Sequence, residues 1–398
     1  MTLSPKYKEK LVVVLSRFPY PLEKGDKLRA YYQLKELSEV FEIHLFCTSE
    51  SEINNLSHVQ IATFCKEIHI YNLKKGIILL NIFKSLFTKI PFQVAYFSQN
   101  WIKKDIERKI NIIQPNHIFC QLIRPAEYVK NIHSCPKTID LMDALSKGME
   151  RRIEDSNWLL KQIFREEARR LRHYETKILD YFEHATIISN QDKSYIIHPK
   201  NQEIKVIPNG VGDKFTHFNK IPQKKYDLIF TGNMSYAPNV KACIFISQIL
   251  YPKLIKVNPN YQIALVGATP SKSVLKCANK NISVTGWVDD IREKYAESKI
   301  FIAPLFSGSG LQNKILEAMA MGVPCITTSL VNNAILAQKE KEIIIADTAD
   351  EMVDAIFRLN SDEDLYNEIA RNAKEFVNNK YTWNESNKLL IEVLKSKN

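Results

Sequence analysis

The residues most suited to chemistry in this 398-residue chain lie between Ser307 and Thr328. A loop of small residues, Ser307-Gly308-Ser309-Gly310, follows the apolar run Ile300-Phe301-Ile302-Ala303-Pro304 and opens into a helical pattern. Leu311, Ile315, Ala318 and Gly322 recur at helical spacing and can face a core, while Asn313 and Glu317, four apart, share another face. Gly322 and Pro324 stop the helix, and Cys325-Ile326-Thr327 reads as the next buried strand. A helix N-terminus behind small residues offers backbone N–H groups and the positive end of a dipole to an anion. A carboxylate further along can accept hydrogen bonds from a sugar diol. A diphosphate joined to a ribose uses both features, so the stretch reads as a nucleotide-diphosphate site. An ordinary strand–loop–helix unit is the alternative.

Three other stretches carry suitable residues. Phe18 to Arg29 follows the first apolar strand and opens a helix. There Gly25 permits close approach of backbone to a ligand, and Lys24, Asp26, Lys27 and Arg29 set charge around it. Asp140-Leu141-Met142-Asp143 ends another strand with two carboxylates three apart, which can flank a cleft; Asp143 can instead cap the following helix. In the second half Gly232-Asn233, Val266-Gly267 and Thr285-Gly286-Trp287-Val288 each end a strand. Gly232 allows tight approach to a phosphate, and Trp287 is expected to pack in the core, as most aromatics do.

Positioning these residues takes two series of strands and helices. Leu11 to Ser16, Ile43 to Cys47, His117 to Cys120, Thr138 to Leu141 and Ala185 to Ser189 read as buried parallel strands. The longest helix between them runs from about Asn157 to Phe182, with Arg165, Glu166, Glu167, Arg169, Arg170 and Arg172 expected on its wet faces. The turn cluster Ile207-Pro208-Asn209-Gly210-Val211-Gly212 marks a boundary. Asp227 to Thr231, Gln262 to Val266, Ile282 to Val284, Lys299 to Ala303, Cys325 to Thr327 and Glu342 to Ile345 then restart the alternation. The expected division is residues 1–211, 212–381 and a final helix from 382 to 398. The fold class is α/β, two doubly wound Rossmann-like domains with a cleft at the strand C-termini. Ile78, Leu79, Ile82, Phe83, Leu86, Phe87 and Ile90, edged by Lys84 and Lys89, form an apolar stripe. A place in the first domain's core is expected, and a surface for a membrane or a lipid-linked acceptor is the alternative.

The composition is that of a soluble globular protein, 45% hydrophobic and 25% charged. No stretch has the length of a membrane span, and the first ten residues carry no apolar signal core. Seven cysteines, with no CxxC and no paired histidine spacing, point to reduced thiols in a cytoplasmic protein rather than to a zinc or disulfide framework. The net charge of +11 suits anionic substrates or an anionic membrane surface. The dispersed lysines and the lack of a nucleic-acid-binding motif argue against nucleic acid, and plain solubility is the simpler account.

The stretch from Ser309 to Pro324 resembles the signature of retaining, GT-B-fold glycosyltransferases of family four. That signature is two glutamates with seven residues between them, running into EAMA-x-G-x-P. Glu317-Ala318-Met319-Ala320, Gly322 and Pro324 match, and Ser309 stands where the first glutamate belongs. Ile207-Pro208-Asn209-Gly210-Val211 resembles the family's linker-proximal IPNGVD, with Gly212 in place of the aspartate. The form GSGLQNK…LEAMA is similar to a branch of exopolysaccharide-cluster sugar transferases.

The resemblance implies a glycosyltransferase acting in polysaccharide synthesis, and the expected place is cytoplasmic, with peripheral association at the inner face of the membrane an open option. It would use a UDP- or GDP-linked sugar, no other cofactor and no metal, and transfer to a glycan or polyprenyl-linked acceptor with retention. Glu317 would hold the donor ribose, with Ser309, Gly310, Leu311, Gln312, Asn313, Gly232, Asn233, Gly286 and Val288 around the donor. Lys24, Gly25, Asp26, Lys27 and Arg29 would face phosphates and acceptor. Asp143 would be catalytic: it takes the aspartate position at a strand end where many relatives also have a histidine near the reacting sugar, and Met142 stands in the histidine position, so the histidine's role does not carry over. Asn233 replaces an arginine of many relatives, so Lys314, the 24–29 loop or the helix dipole would supply the missing positive charge. A GT-B epimerase or phosphorylase and a non-catalytic sugar-nucleotide binder are the rival readings.

Overall fold

The computed structural model describes residues 8–154, 156–218, 220, 222–307 and 310–396. The chain divides into two compact units, Met1–Pro208 with Ser386–Asn398, and Asn209–Glu385.

Unit 1 is built on a parallel sheet of seven strands: β1 (Glu9–Leu15), β2 (Phe41–Ser49), β3 (Glu67–Asn72), β4 (His117–Gln121), β5 (Lys137–Asp140), β6 (His184–Ile187) and β7 (Lys205–Val206), in the order 3-2-1-4-5-6-7. Leu11 on β1 pairs with Ile43 on β2 and with His117 on β4. The run Leu11-Val12-Val13-Val14-Leu15 is apolar throughout because both faces of the central strand are covered. Val12 and Val14 enter one core with Phe46, Ile118 and Ile139, and Leu11, Val13 and Leu15 enter another with Leu34, Leu37 and Leu45. The helices that matter below are α1 (Gly25–Ser38), α2 (Lys75–Ser85), α3 (Leu145–Glu154) and α4 (Trp158–Ile178).

Helix α4 departs from expectation at two charged positions. Glu167 and Arg170 are buried instead of wet. The Glu167 carboxylate accepts from the backbone N–H groups of Phe92 at 2.8 Å and Gln93 at 3.0 Å. Arg170 donates to the Ser85 carbonyl, and its guanidinium lies 4.7 Å from the Phe92 ring centroid. Backbone groups at the ends of neighbouring segments need these partners when buried.

Unit 2 repeats the plan with β8 (Tyr226–Thr231), β9 (Ile263–Val266), β10 (Ile282–Val284), β11 (Ser298–Ala303), β12 (Cys325–Thr327) and β13 (Ile344–Ile345), parallel and ordered 10-9-8-11-12-13. Both orders are that of a doubly wound dinucleotide-binding sheet, whose direction of winding reverses beside the first strand. Helix α5 (Asn313–Ala320) follows β11. It ends where the sequence expects: Gly322 takes φ +69°, its N–H donates to Met319 O at 2.9 Å, and the Val323 N–H donates to Ala318 O at 3.0 Å. These are the two bonds of a Schellman cap. Helix α6 (Trp383–Lys395) carries the chain back into unit 1, where Leu390, Val393 and Leu394 join the core of Leu11 and Val13.

Candidate functional site

In unit 2 the winding reverses between β8 and β11, and the C-terminal ends of strands beside such a reversal are where open α/β sheets bind ligands. Glycines bare this end. Gly232 after β8 has φ +154°, Gly267 after β9 has φ +152°, and Gly286 beyond β10 has φ +71°. A Cβ on Gly267 would stand 1.7 Å from the Gly232 carbonyl oxygen. One on Gly232 would stand 2.6 Å from Asn239 Nδ2 and 3.0 Å from Lys314 Nζ. Only glycines let these strand ends lie side by side, and they leave the Lys314 ammonium against bare backbone.

Helix α5 brings three polar side chains to this end. Asn313 accepts from Asn209 Nδ2 at 3.2 Å. Lys314 donates to Asn239 Oδ1 at 2.6 Å and lies 4.8 Å from the Phe230 ring centroid. Burial lowers the Lys314 ammonium to about 8, because a poorly solvated cation loses its proton more readily. Glu317, one turn on, is pushed up to about 7 by burial, against the opposing pull of Tyr295, Lys214 and Lys314. Tyr295, itself wholly buried, holds the Glu317 carboxylate at 3.1 Å and shares a 2.8 Å hydrogen bond with Thr231 on β8. At the start of α5 the Gln312 side chain makes no capping bond.

The remaining residues expected at the donor fall into place unevenly. Gly310 is buried with φ +77°, and Leu311 and Val288 pack against the core of unit 2. Ser309 lies outside the described residues. Asn233 accepts from Ser235 N at 2.9 Å, Ser235 Oγ at 2.7 Å and Thr269 Oγ1 at 3.1 Å, so its side chain shapes its own loop. Trp287 corrects the expectation of a core role. Gly286 turns the chain out of β10 through a left-handed conformation, and the indole stands 65% exposed.

In unit 1 the corresponding strand ends hold the other candidates. Lys24 and Lys27 line a pocket of 170 Å³ with Ser16, Arg17, Thr48 and Ser49, beyond β1 and β2. Gly25, the first residue of α1, is exposed and has room for a side chain. Asp26 is paired with Arg17 at 2.6 Å, and burial lowers the Lys27 ammonium from its ordinary range. Arg29 is a correction: it is not at the surface. Its guanidinium reaches Asp140 through Nε at 2.6 Å and through a second nitrogen at 3.2 Å, with neither side chain exposed. A buried charge needs such a partner, and this pair ties α1 to the end of β5.

Asp143, three residues past Asp140, is different. Its carboxyl makes no hydrogen bond among the described residues. It is pushed up to about 7 by burial first, then by the neighbouring Asp192, with Arg29 and Arg124 opposing. Nor does it cap α3. The Ser146 N–H donates to Glu175 at 3.0 Å and the Ala144 N–H to Asp192 at 3.4 Å. A carboxyl balanced near neutrality and bare of partners is suited to proton transfer. Met142, between the two aspartates, is buried with φ +60°. Sequence reasoning missed Tyr295, Asn239 and Asp192, which lie far along the chain from the groups they touch and carry no local pattern.

Residues 225–362 match the family model of glycosyl transferases group 1. Over 97% of its length the chain is 23% identical to an uncharacterized 44.6 kDa protein of the cps region of Klebsiella pneumoniae, of which it covers 99%. Over 213 aligned positions, which span 48% of this chain and 54% of the relative, it is 26% identical to the Escherichia coli UDP-Gal:alpha-D-GlcNAc-diphosphoundecaprenol alpha-1,3-galactosyltransferase. Among solved structures, Anabaena HepE in complex with UDP superimposes with a TM-score of 0.67 at 12% identity, over 98% of this chain and all of that one. The fold is therefore GT-B, an α/β architecture of two Rossmann-like units.

Proposed function

We propose that this protein is a metal-independent glycosyltransferase. It moves a sugar from a nucleotide-diphosphate donor to a glycan or lipid-linked glycan, with retention of configuration. The observation that carries the reading is the meeting of Lys314, Glu317 and the glycine-bared ends of β8 and β9 at the reversal of one sheet. Glu317 accepts from the ribose hydroxyls, and Gly232 and Gly267 admit the diphosphate. Lys314 and the first turn of α5 face the charge that grows on the diphosphate as its bond to the anomeric carbon breaks. The acceptor hydroxyl oxygen forms the new bond to that carbon, and we assign its proton to Asp143. The cps-region relative and the relative that acts on a diphosphoundecaprenol-linked sugar support a place in surface-glycan assembly. HepE, which binds UDP, and the UDP-galactose-using relative favour a UDP-linked donor.

A thermal-shift series with UDP, GDP, ADP and their sugars tests the donor reading. A UDP-sugar should stabilise the protein, and failure of every nucleotide to do so refutes the site. Turnover of the stabilising donor with a lipid-linked glycan, followed by NMR of the product anomer, tests reaction and stereochemistry. A donor that binds but is never consumed would instead mark a sugar-nucleotide binder.

A further inference from the structure

We propose that unit 1 docks on an anionic lipid bilayer through α2 and the turn that follows it. This goes beyond the donor site and does not depend on it.

Helix α2 is apolar on two faces. Ile78, Ile82 and Ser85, at helical spacing, turn inward, and the Asn81 side chain donates to the Ser98 carbonyl. That face is enough to seat the helix. The opposite face continues in Leu79, Leu80, Phe83, Leu86 and Phe87, and it is bare: Leu79 is 70% exposed and Phe87 77%. The Phe83 and Phe87 rings meet edge to face at 5.4 Å, a contiguous patch and not scattered side chains. A helix on the surface of a protein that meets only water carries a polar outer face, and a contiguous exposed apolar patch marks a contact surface.

The charge around the patch selects its partner. From Lys74 to Ile90 the chain has Lys74, Lys75, Lys84 and Lys89 and no carboxylate. Lys89 lines a 320 Å³ pocket with Arg169, Arg170, Arg172 and His173, on the side where α4 meets the end of α2. An apolar face rimmed by lysines, beside a pocket walled by cations, is complementary to acyl chains beneath anionic headgroups. With its 11 residues, α2 is too short to cross a bilayer and fits the interface plane. Aromatic and leucine side chains would enter the acyl boundary while the lysine heads stay at headgroup level.

The test is co-sedimentation of the full chain with vesicles of phosphatidylcholine alone and of phosphatidylcholine mixed with phosphatidylglycerol. Binding is expected to the anionic vesicles and to weaken as salt rises. Phe83→Ser with Phe87→Ser, and separately Lys84→Glu with Lys89→Glu, should each weaken it by on the order of tenfold. These side chains are exposed, so the melting temperature should not move, and nucleotide-induced thermal shifts should persist in both variants. No binding to anionic vesicles, equal binding to both vesicle types, or unaltered binding of the variants would each overturn the proposal. So would a dimer in solution that the two serine substitutions convert to a monomer, because a second copy would then be the occupant.

Discussion

Tyr295 and Glu317 are joined through one hydroxyl proton that has three possible takers, Thr231 Oγ1 at 2.8 Å among them. The Tyr295 oxygen stands 3.1 Å from Glu317 Oε2 and 3.1 Å from the Lys314 carbonyl, and a hydroxyl can donate to only one of them at a time. The ionised carboxylate is the stronger acceptor, so the bond orients Glu317 when it is charged, the state that a ribose diol needs. Replacing Glu317 with alanine should weaken nucleotide binding by about 1.5–3 kcal/mol. Tyr295→Phe, which keeps the ring and loses the bond, should weaken it by about 1 kcal/mol. Titration calorimetry with the nucleotide identified by thermal shift measures both. Unchanged affinity in Glu317→Ala would remove the ribose assignment.

Glu317 and Lys314, both on α5, should give donor binding two pH limbs. Glu317 must lose its proton to accept two hydroxyls, and burial holds its carboxyl at about 7. Lys314 must keep its proton to meet a diphosphate, and burial holds its ammonium at about 8. Affinity for a nucleotide-sugar, whose diphosphate has no titrating proton in this range, should therefore rise as pH climbs through about 7 and fall beyond about 8. Glu317→Gln should flatten the acid limb and Lys314→Met the alkaline one. A flat profile in the unaltered protein would mean that neither group meets the ligand.

Lys314 is also expected to matter more for turnover than for binding. The diphosphate gains charge as it leaves, so a fixed cation stabilises the transition state more than the bound donor. Lys314→Met should lower kcat by about 100-fold and raise the donor Kd by less. Equal losses in both would place the ammonium in ground-state binding alone.

Transfer should survive EDTA, since the proposed phosphate partners are Lys314 and the first turn of α5. Activity abolished by EDTA and restored by Mg²⁺ or Mn²⁺ would overturn the metal-independent reading.

Gly267 and Gly286 should fail differently. Gly267→Ala drives a Cβ into the Gly232 carbonyl oxygen at 1.7 Å, rigid backbone that cannot yield, and should cost stability in a thermal melt. Gly286→Ala meets open space but keeps φ +71°. It should cost about 1 kcal/mol in backbone strain and leave donor binding intact.

Arg29 and Asp140 yield a stability prediction where the sequence suggested a ligand contact. Asp140→Ala removes the carboxylate that two nitrogens of the buried guanidinium meet and should destabilise unit 1 by about 3–5 kcal/mol. Arg29→Lys should also destabilise, because an ammonium cannot reproduce the two-pronged contact. Denaturant melts read both. If soluble Arg29→Lys melted like the parent and lost only turnover, the side chain would belong to the reaction after all.

Much of the architecture was legible because strands covered on both faces are continuous apolar runs: β1, β2, β4, β8, β9 and β11 announce themselves. Strand β3 did not. Its Glu-Ile-His-Ile-Tyr-Asn alternates because it is the half-exposed edge of its sheet. Residues 313–320 were readable as a helix because spacing, glycine stop and carboxylate all lie within one segment. What was not readable was whom each charge meets. Arg29 looked like a free cation because Asp140 is 111 residues away, and Tyr295 belongs to no local pattern at all. Trp287 and the outer face of α2 misled in the opposite way. Hydropathy says that such side chains prefer an interior, but it does not say whether the fold has interior to give them.

The entry and exit of unit 2 are stitched together. Val211 N–H donates to Tyr381 O at 2.7 Å, Val211 bridges to Thr382, and a Cβ on Gly210 would stand 2.1 Å from the Trp383 nitrogen. The 209–385 segment is thus a cassette threaded through a single doorway, and only a glycine fits the jamb. Closely spaced ends are what make a domain transferable between chains. A cassette from a relative with another nucleotide preference could be spliced in at this one joint, provided that position 210 stays glycine. Nucleotide preference could then change by exchanging a module, with no residue of unit 1 altered.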